Sequence, residues 1–507
     1  MIGFGNGKDF TTQIQILHKH VYDPELIARS IEARKLGDTG KNFPHNVEHY
    51  EWPSNHLIGE EIMLKAAPKT REEALEVVRG WLRQGNGGKP HPWAAMESFT
   101  RWQHYTAEMG YDYIGCELGA NVSVYNLSIA FTRGAAKQYD KSRNLGNVSA
   151  WFVDYSLWNW LGMVNYSGDP DFFSHARLRK SLTPVSGQGI NQCRRGYYLI
   201  YMSGAQWLIN EGGGESSFYP EAEADGFYKL SPHGEINQAF YDFVCRHPNR
   251  GETVVPIAMV LGHDHGLPYG HWKEEHLVFE ALPQTAGDRM INDLFQTVYS
   301  DDYTTWPLSS VGQQITPPYG DVFDVLTHTA DPKVLADYPA LLLAGDITFT
   351  TEERQNYVDY VKNGGILLLN TVYKKDFPEF AAGGDYGKGK VIVYGPDNKV
   401  EELKTILPAL LRDLLPVTVD SDVEYIVNHN ENGVVVTLIN NNGVIKDWNK
   451  DAVYDPAGER TVTVTYTGEG RVKAANEWIT DAPLAANKVQ TVKIPSGDVA
   501  VIEFVIE

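Results

Sequence analysis

The stretch Tyr111-Asp-Tyr-Ile-Gly-Cys-Glu-Leu-Gly119 decides how the first part of the chain is interpreted. An apolar run that ends at a glycine turn is typical of a buried strand, and residues 122–141 after it have the pattern of a helix. A second strand (148–155), a helix (191–204) and a third strand (206–211) follow. Because strands and helices that alternate in this way form βα units, we predict an α/β fold with a parallel sheet.

The same pattern of predicted strands and helices divides the rest of the chain into domains. A helix over 238–245 and a fourth strand over 254–261 complete a first domain, residues 1–290. Residues 291–418 contain further strands and a helix that begins at Thr350, which has Glu353 at capping-box spacing. This part is predicted to be an open doubly wound α/β domain. Residues 419–507 consist of short alternating strands between Asn and Gly turns, which predicts a small antiparallel β-sandwich.

Charge and composition limit the partners that can be expected. The chain has 65 acidic and 44 basic residues, a net charge of −21, which disfavours binding to nucleic acid or to anionic lipid. No apolar run is long enough to span a membrane. Three scattered cysteines make no disulfide framework. Residues 1–7 have no features of a signal peptide, and the compartment is left open.

Carboxylates at strand ends are the strongest candidates for chemistry. Glu117 and Glu211 each follow an apolar strand and stand next to glycines, and Glu215 competes with Glu211. A glycosidase needs one carboxyl group to protonate the leaving oxygen and another to attack carbon or to activate water. The competing interpretation is that each Glu caps a helix or pairs with an arginine such as Arg101 or Arg195. Asp154 also ends a strand, and we expect it at most to bind substrate.

Aromatic and histidine side chains near these strands are candidate substrate contacts. Trp151, Trp158 and Trp207 could stack on sugar rings, although core packing explains each of them equally well. His263 and His265 follow the fourth strand and could bind sugar hydroxyls or only shape a loop. Their spacing suits a metal, but no further ligand cluster is visible. We therefore predict a carbohydrate substrate and neither a metal nor a cofactor.

Two parts of the sequence resemble the domains of a known enzyme family. The first domain is similar to the barrels of the family 42 β-galactosidases and the related family 164 β-mannosidases. Two segments, Tyr338-Pro-Ala-Leu-Leu-Leu-Ala-Gly-Asp346 and Tyr357-Val-Asp-Tyr-Val-Lys-Asn-Gly-Gly-Ile-Leu367, resemble the trimerisation domain of family 42. That domain is similar to class I glutamine amidotransferases, which need a nucleophilic Cys. Residues 291–418 contain no Cys, which excludes amidotransfer by this domain.

The resemblance implies a fold, an activity and an assembly. It implies a (β/α)8 TIM-type barrel and a retaining glycoside hydrolase of β-linked sugars. Glu117 would be the acid/base and Glu211 the nucleophile, on strands four and seven. This chain has Cys116 where the family usually has Asn, and counting back from the strand at 254 puts Glu117 on strand five. A homo-oligomer, with a trimer favoured, is also implied.

Two alternatives stay open. A polysaccharide lyase would need a base and positive charge, which Arg194, Arg195, His263 and His265 could supply. A non-catalytic carbohydrate-binding or assembly protein would keep the glycosidase architecture without a working carboxylate pair. The separation of the carboxyl groups would distinguish the latter from a hydrolase.

Overall fold

The computed structural model describes residues 2–3, 48–50, 63–84, 93–96, 101–119, 124–156, 188–211, 217–222, 228–267, 277–300, 314–446 and 450–507. These residues form three regions, each with its own sheets. No helix in this part of the chain is both long and apolar enough to cross a membrane.

The first region is built on a six-stranded sheet in the order β1-β6-β5-β4-β3-β2. Its strands are β1 (Ile2–Gly3), β2 (Glu48–Tyr50), β3 (Trp93–Met96), β4 (Tyr113–Gly119), β5 (Ala150–Ser156) and β6 (Trp207–Glu211). Strands β2 to β6 are parallel, and β1 pairs antiparallel with β6. The predicted parallel βα architecture is therefore confirmed. The described strands form an open sheet, so closure into an eight-stranded barrel stays a prediction.

Helices connect these strands and cover one side of the sheet. They are α1 (Leu64–Ala66), α2 (Arg71–Gln84), α3 (Gln103–Glu108), α4 (Tyr125–Gln138), α5 (Ile190–Met202) and α6 (Pro232–Arg246). Between β6 and α6 the chain forms a hairpin of β7 (Phe218–Ala222) and β8 (Tyr228–Leu230). Helix α4 follows β4 and helix α5 precedes β6, which is the crossover pattern that parallel strands require.

The second region is an open sheet in the order β11-β10-β12-β13-β15-β14. After β9 (Glu252–Thr253), its strands are β10 (Ile257–Leu261), β11 (Phe323–Thr327), β12 (Ala340–Leu343), β13 (Ile366–Asn370), β14 (Gly384–Tyr386) and β15 (Gly389–Tyr394). Only β14, at the edge, is antiparallel. The helices are α7 (Ala286–Val298), α8 (Pro332–Leu335), α9 (Thr351–Lys362) and α10 (Leu403–Leu414). The capping box of Thr350 and Glu353 at the start of α9 is confirmed.

One strand corrects the predicted division of the chain. Residues 254–261 were expected to be a strand of the first domain, within residues 1–290. Instead β10 pairs in parallel with β11 on one side and β12 on the other, at the centre of the second sheet. An apolar strand buried on both faces looks the same in either sheet, so the sequence could not assign it. The count that put Glu117 on strand five started from this strand and is therefore withdrawn.

The third region contains two antiparallel sheets, in the orders β16-β21-β24 and β23-β22-β25-β18-β17-β9. Apolar side chains from both sheets pack in one core. Strand β9, which precedes the second region, forms the edge of the larger sheet by pairing with β17. The strands are β16 (Val417–Asp420), β17 (Glu424–Asn430), β18 (Gly433–Ile439), β19 (Val444–Ile445), β20 (Val453–Tyr454), β21 (Arg460–Tyr466), β22 (Val472–Glu477), β23 (Ala482–Leu484), β24 (Val489–Ile494) and β25 (Val499–Ile506).

A buried ion network joins the first and second regions. Arg133 of α4 contacts Asp324 (Nε–Oδ1, 2.7 Å) and Asp321 (Nη1–Oδ2, 2.7 Å), and all three side chains are buried. Arg133 also donates to the carbonyl oxygens of Ser203 and Phe323. Because Asp324 and Phe323 belong to β11, the guanidinium fixes α4 against that strand.

Candidate functional site

Two carboxylates stand side by side in the first sheet. Glu117 on β4 is in register with Asp154 on β5, so their Cα atoms are neighbours across one strand spacing. Alternate residues of a strand point to the same face, and both therefore lie on the face shared by Gly115, Phe152 and Trp207. Each stands two residues before the last residue of its strand. This is the carboxyl end of the parallel strands, where barrel enzymes carry their catalytic groups.

The opposite face of the same strands is packed against the helices. Cys116, Val153 and Tyr155 alternate with the two carboxylates and belong to the large apolar core of this region. Phe152 forms a separate small cluster with Tyr113, Trp207 and Ile209 on the carboxylate face. The pleat therefore separates a helix-covered face from a face that carries the acidic residues.

Burial changes the chemistry that these carboxylates can perform. Glu117 is 8% exposed and Asp154 is 1% exposed. An ionised carboxylate with so little exposure to water needs hydrogen-bond or charge partners. Enzymes use carboxyl groups in such largely water-excluded surroundings as general acids.

Glu211 is the last residue of β6, where its backbone is in register with Ser156 of β5. Asp154 is in register with Ile209 of β6, so the Cα of Glu211 lies two residues further along β6 than the level of Asp154. The side chain of Glu211 lies outside the described residues, as do Glu215 and Trp158. Their predicted roles stay predictions.

The other two candidate tryptophans, Trp151 and Trp207, lie on opposite faces of the first sheet. Trp151 is 4% exposed and packs in the helix-covered core, so it is a core residue and cannot stack on a sugar beside Glu117. The alternation of β5 is the physical reason, because Trp151 and Asp154 are three residues apart and point to opposite faces. Trp207 does lie on the carboxylate face, half-buried against Phe152, two residues below the level of Asp154.

His263 and His265 lie elsewhere in the molecule. They follow β10, and His263 Nε2 hydrogen-bonds Glu108 Oε1 at 2.6 Å. Glu108 ends α3 and precedes β4, which places this contact at the amino end of β4, away from Glu117. His265 is stacked on Tyr105 with ring centroids 5.4 Å apart, and burial holds its pKa well below the ordinary value. We therefore no longer assign either histidine to substrate contacts at the carboxylate face.

The arginines considered for a lyase face the third region. Arg194 forms an ion pair with Asp498 at 3.2 Å, and Arg195 donates to the carbonyl oxygen of Gly497 at 3.1 Å. Both stand on α5, on the helical side of the sheet. With the two histidines also elsewhere, none of the four cations considered for a lyase is beside Glu117.

The closeness of Glu117 and Asp154 was missed from sequence, although a signal was present. Each is the fifth residue of a seven-residue strand, so simple register counting would have aligned them. Among the described residues no group of three or more His, Cys, Asp or Glu side chains could hold a metal ion.

The chain was compared with protein families, with curated proteins and with solved structures. No family model and no curated protein matches the chain. Among solved structures, a β-galactosidase from Bacillus circulans sp. alkalophilus is 10% identical with a TM-score of 0.48, over 97% of this chain and 76% of that one. A family 42 β-galactosidase from G. stearothermophilus is 11% identical with a TM-score of 0.47, over 97% and 75%.

Other solved structures are covered less completely. The chain spans 57% of a family 42 exo-carrageenase from Bacteroides ovatus (11% identity, TM-score 0.46, 88% of this chain). It spans 39% of a rhamnosidase from Novosphingobium sp. PP1Y (11% identity, TM-score 0.43, 86% of this chain). The solved structures named here are all described as enzymes that act on carbohydrates.

Proposed function

We propose that this chain is a retaining glycoside hydrolase that acts on β-linked sugars, with Glu117 as acid/base and Glu211 as nucleophile. The observation that supports this most directly is the buried carboxylate pair of Glu117 and Asp154 at the carboxyl ends of adjacent parallel strands. The β-linkage and the retaining outcome rest on the family resemblance of the sequence.

The register is compatible with the distance that retention needs. Positions 117 and 209 are two strand spacings apart, about 10 Å, and position 211 is one pleat of roughly 7 Å further along β6. The Cα atoms of Glu117 and Glu211 are then about 12 Å apart, which leaves room for two glutamate side chains on either side of a glycosidic bond. Retention requires carboxyl groups about 5–5.5 Å apart, and inversion about 6.5–9.5 Å.

The reaction balances with these groups alone. A Glu211 oxygen attacks the anomeric carbon, the glycosidic C–O bond breaks, and Glu117 transfers its proton to the leaving oxygen. Water then attacks the same carbon, Glu117 takes the proton of that water, and the ester bond to Glu211 breaks. Asp154, beside Glu117, would bind substrate by accepting a hydrogen bond from a sugar hydroxyl.

The nucleophile is tested by Glu211→Gln, which removes the charge and keeps the shape. We expect loss of turnover of nitrophenyl β-glycosides by about 10³-fold or more with little change in sugar binding, because the lost interaction belongs to the transition state. Glu72→Gln, at an exposed position of α2, is the matched control. If Glu215→Gln is inactive and Glu211→Gln is not, the nucleophile is Glu215. If both variants keep wild-type rates, the two-carboxylate mechanism is wrong.

The acid/base is tested by Glu117→Ala with two leaving groups. Hydrolysis of alkyl glycosides should fall far more than that of dinitrophenyl glycosides, because a good leaving group needs little protonation. Azide should then restore turnover of the dinitrophenyl substrate and give the β-glycosyl azide, detected by NMR. An α-glycosyl azide would contradict a retaining mechanism, and an unchanged rate on both substrates would exclude Glu117.

A non-catalytic carbohydrate-binding protein is the second candidate. It predicts binding of sugars without turnover of any aryl glycoside in a broad panel. A lyase is disfavoured because Arg194 and Arg195 are engaged by the third region. Release of an unsaturated uronide from a uronic-acid polysaccharide would favour the lyase instead.

We also propose that the chain assembles as a homotrimer through its second region. The proposal rests on the resemblance of residues 338–346 and 357–367 to a trimerisation domain without amidotransferase chemistry. Light scattering at micromolar concentration should give three times the chain mass of 56.8 kDa. A monomeric mass under those conditions would contradict it.

A further inference from the structure

A cavity of about 380 Å³ lies where the end of α6 meets the third region. That volume falls within the range of small-molecule sites. The lining comes from the residues after α6, the turn between β17 and β18, the end of β22 with the turn that follows it, and β25.

The floor of the cavity is organised by one buried carboxylate. Glu503 of β25 is 6% exposed. Its Oε2 accepts hydrogen bonds from Asn476 Nδ2 at 3.0 Å and Trp478 Nε1 at 3.2 Å, and its Oε1 from Asn430 Nδ2 at 3.4 Å and Asn432 Nδ2 at 3.5 Å. All four donors are neutral. Glu503 therefore orients three carboxamides around one cavity. Asn430 is fully engaged, because its Nδ2 also donates to the carbonyl oxygen of Asn249 and its Oδ1 accepts from the backbone N–H groups of Asn432 and Gly433. The carboxamides of Asn432 and Asn476 have further donor and acceptor capacity.

One wall combines an aromatic pair with charged groups. His247 is stacked on Trp478 with ring centroids 4.5 Å apart and an interplanar angle of 7°. Asp481 binds His247 Nε2 at 2.9 Å through one oxygen and Arg246 Nε at 2.9 Å through the other. The side chain of Arg246 is exposed at the rim, where it can reach a ligand in the cavity.

The cavity is at the opposite end of the first sheet from the carboxylate pair. Arg250, which follows the lining residue Asn249, donates from Nη2 to the carbonyl oxygen of Ala205 at 2.9 Å. Ala205 precedes β6, so this contact marks the amino ends of the parallel strands. A ligand here could not reach Glu117 at the other end, and the cavity is a separate site.

We propose that this cavity binds a neutral saccharide, as an accessory site of the enzyme. The assignment of an accessory role rests on the proposed glycosidase function, whereas the chemistry of the cavity stands on its own contacts. Carboxamides, a carboxylate and one guanidinium match the alternating donors and acceptors of sugar hydroxyls. Three carboxylates (Glu477, Asp481, Glu503) against Arg246 and a histidine disfavour sulfated or carboxylated sugars.

Cys245 provides a local reporter for the test. It is the exposed cysteine next to Arg246, whereas Cys116 and Cys193 are buried. A trifluoromethyl tag on Cys245 is followed by ¹⁹F NMR while galactotetraose, mannotetraose or a sulfated carrageenan oligosaccharide is added. We expect a saturable shift with a neutral tetrasaccharide. Arg246→Ala with Asn432→Ala should weaken that binding about tenfold or more, because two polar partners are lost.

The controls separate this site from the carboxylate pair. Arg412→Ala with Asn363→Ala, at exposed positions of the second region, should bind as the unmutated protein does. No shift at millimolar tetrasaccharide, a shift with the sulfated sugar alone, or binding that the Arg246 and Asn432 variant leaves unchanged would each overturn the proposal. Hydrolysis by Glu211→Gln is measured independently, so failure of the glycosidase mechanism would not be mistaken for failure of this site.

Discussion

At the scale of single residues, Glu108 shows how a partly buried carboxylate is held in its charged form. It accepts hydrogen bonds from Tyr139 Oη at 2.6 Å and Arg79 Nη2 at 2.8 Å, and contacts His263 Nε2 at 2.6 Å. Burial alone would raise the pKa of Glu108. The hydrogen bond and charge of His263, with the bonds of Tyr139 and Arg79, outweigh burial and lower the pKa to about 2.

This depressed pKa predicts how stability depends on pH. The folded pKa is below the ordinary value of 4.5, so the stabilisation is present above pH 4.5 and is lost as pH falls toward 2. Glu108→Gln should lower the free energy of unfolding by roughly 3 kcal/mol at pH 7 and by much less at pH 3. Urea denaturation at both pH values measures this, with the exposed Glu235→Gln as control. Equal losses at pH 7 and pH 3 would be inconsistent with the prediction.

The same scale shows how much of the site was predictable. Residue type and position at a strand end identified Glu117 and Asp154, because the carboxyl end of a parallel strand is a local feature of sequence. The contacts of His263 with Glu108 were not predictable, since these residues are far apart in the chain and meet through packing of α3 against the loop after β10. For Trp151 the sequence left sugar stacking and core packing open, because only the pleat decides which side of β5 the side chain occupies.

At the scale of elements, helix α4 lies unusually close to strand β11. A Cβ added to Gly134 would be 1.9 Å from the carbonyl oxygen of Val325, far closer than a Cβ approaches an atom to which it is not bonded. The glycine is therefore needed for close approach of the helix to the strand. Gly80, on α2, has no atom within 4 Å of such a Cβ.

These two glycines give a matched pair of substitutions. Gly134→Ala should lower stability by about 2 kcal/mol or more, because α4 must move away from β11. Gly80→Ala should instead raise stability by up to about 1 kcal/mol, because alanine favours the helix and nothing obstructs it. Thermal midpoints of both variants test this. A change of the same sign in both would mean that the close approach of α4 does not limit packing.

Elements were the part of the fold that sequence predicted best. The strands β4, β5 and β6 stand within a few residues of their predicted limits, and the helix α9 begins at its predicted cap, because each has a clear apolar period or turn and cap signals. The spacing of apolar residues predicts a strand but does not predict the sheet to which that strand belongs. Strand β10 was therefore recognised as a strand and placed in the wrong sheet.

At the scale of the whole molecule, two arginines link the first and second regions in different surroundings. Arg133 binds Asp321 and Asp324 in full burial. Arg143 binds Asp337 with side chains 33% and 43% exposed. The two ion pairs therefore differ in burial, which is the property that we expect to decide how strongly each one couples the two regions.

Replacement of each arginine by methionine should separate these effects. Arg133→Met leaves two buried carboxylates without their cation and should cost about 3–5 kcal/mol. Arg143→Met removes a solvent-screened pair and should cost within about 1 kcal/mol. Calorimetry should show one joint transition for the wild type that Arg133→Met lowers or splits. Equal effects of the two substitutions would indicate that burial of the network is unimportant for coupling.

The short segment that carries β9 and β10 has a consequence for synthesis on the ribosome. Strand β9 pairs with β17, and β10 pairs with β11 and β12, so both emerge long before their partners are made. The nascent chain must keep the apolar strand β10 unpaired until residues 323–343 have left the exit tunnel. The polar strand β9 stays unpaired until residues 424–430 follow. Chains released early would expose the apolar strand β10 as a template for pairing with other copies. Interrupted translation of this protein should therefore yield aggregates rather than soluble fragments.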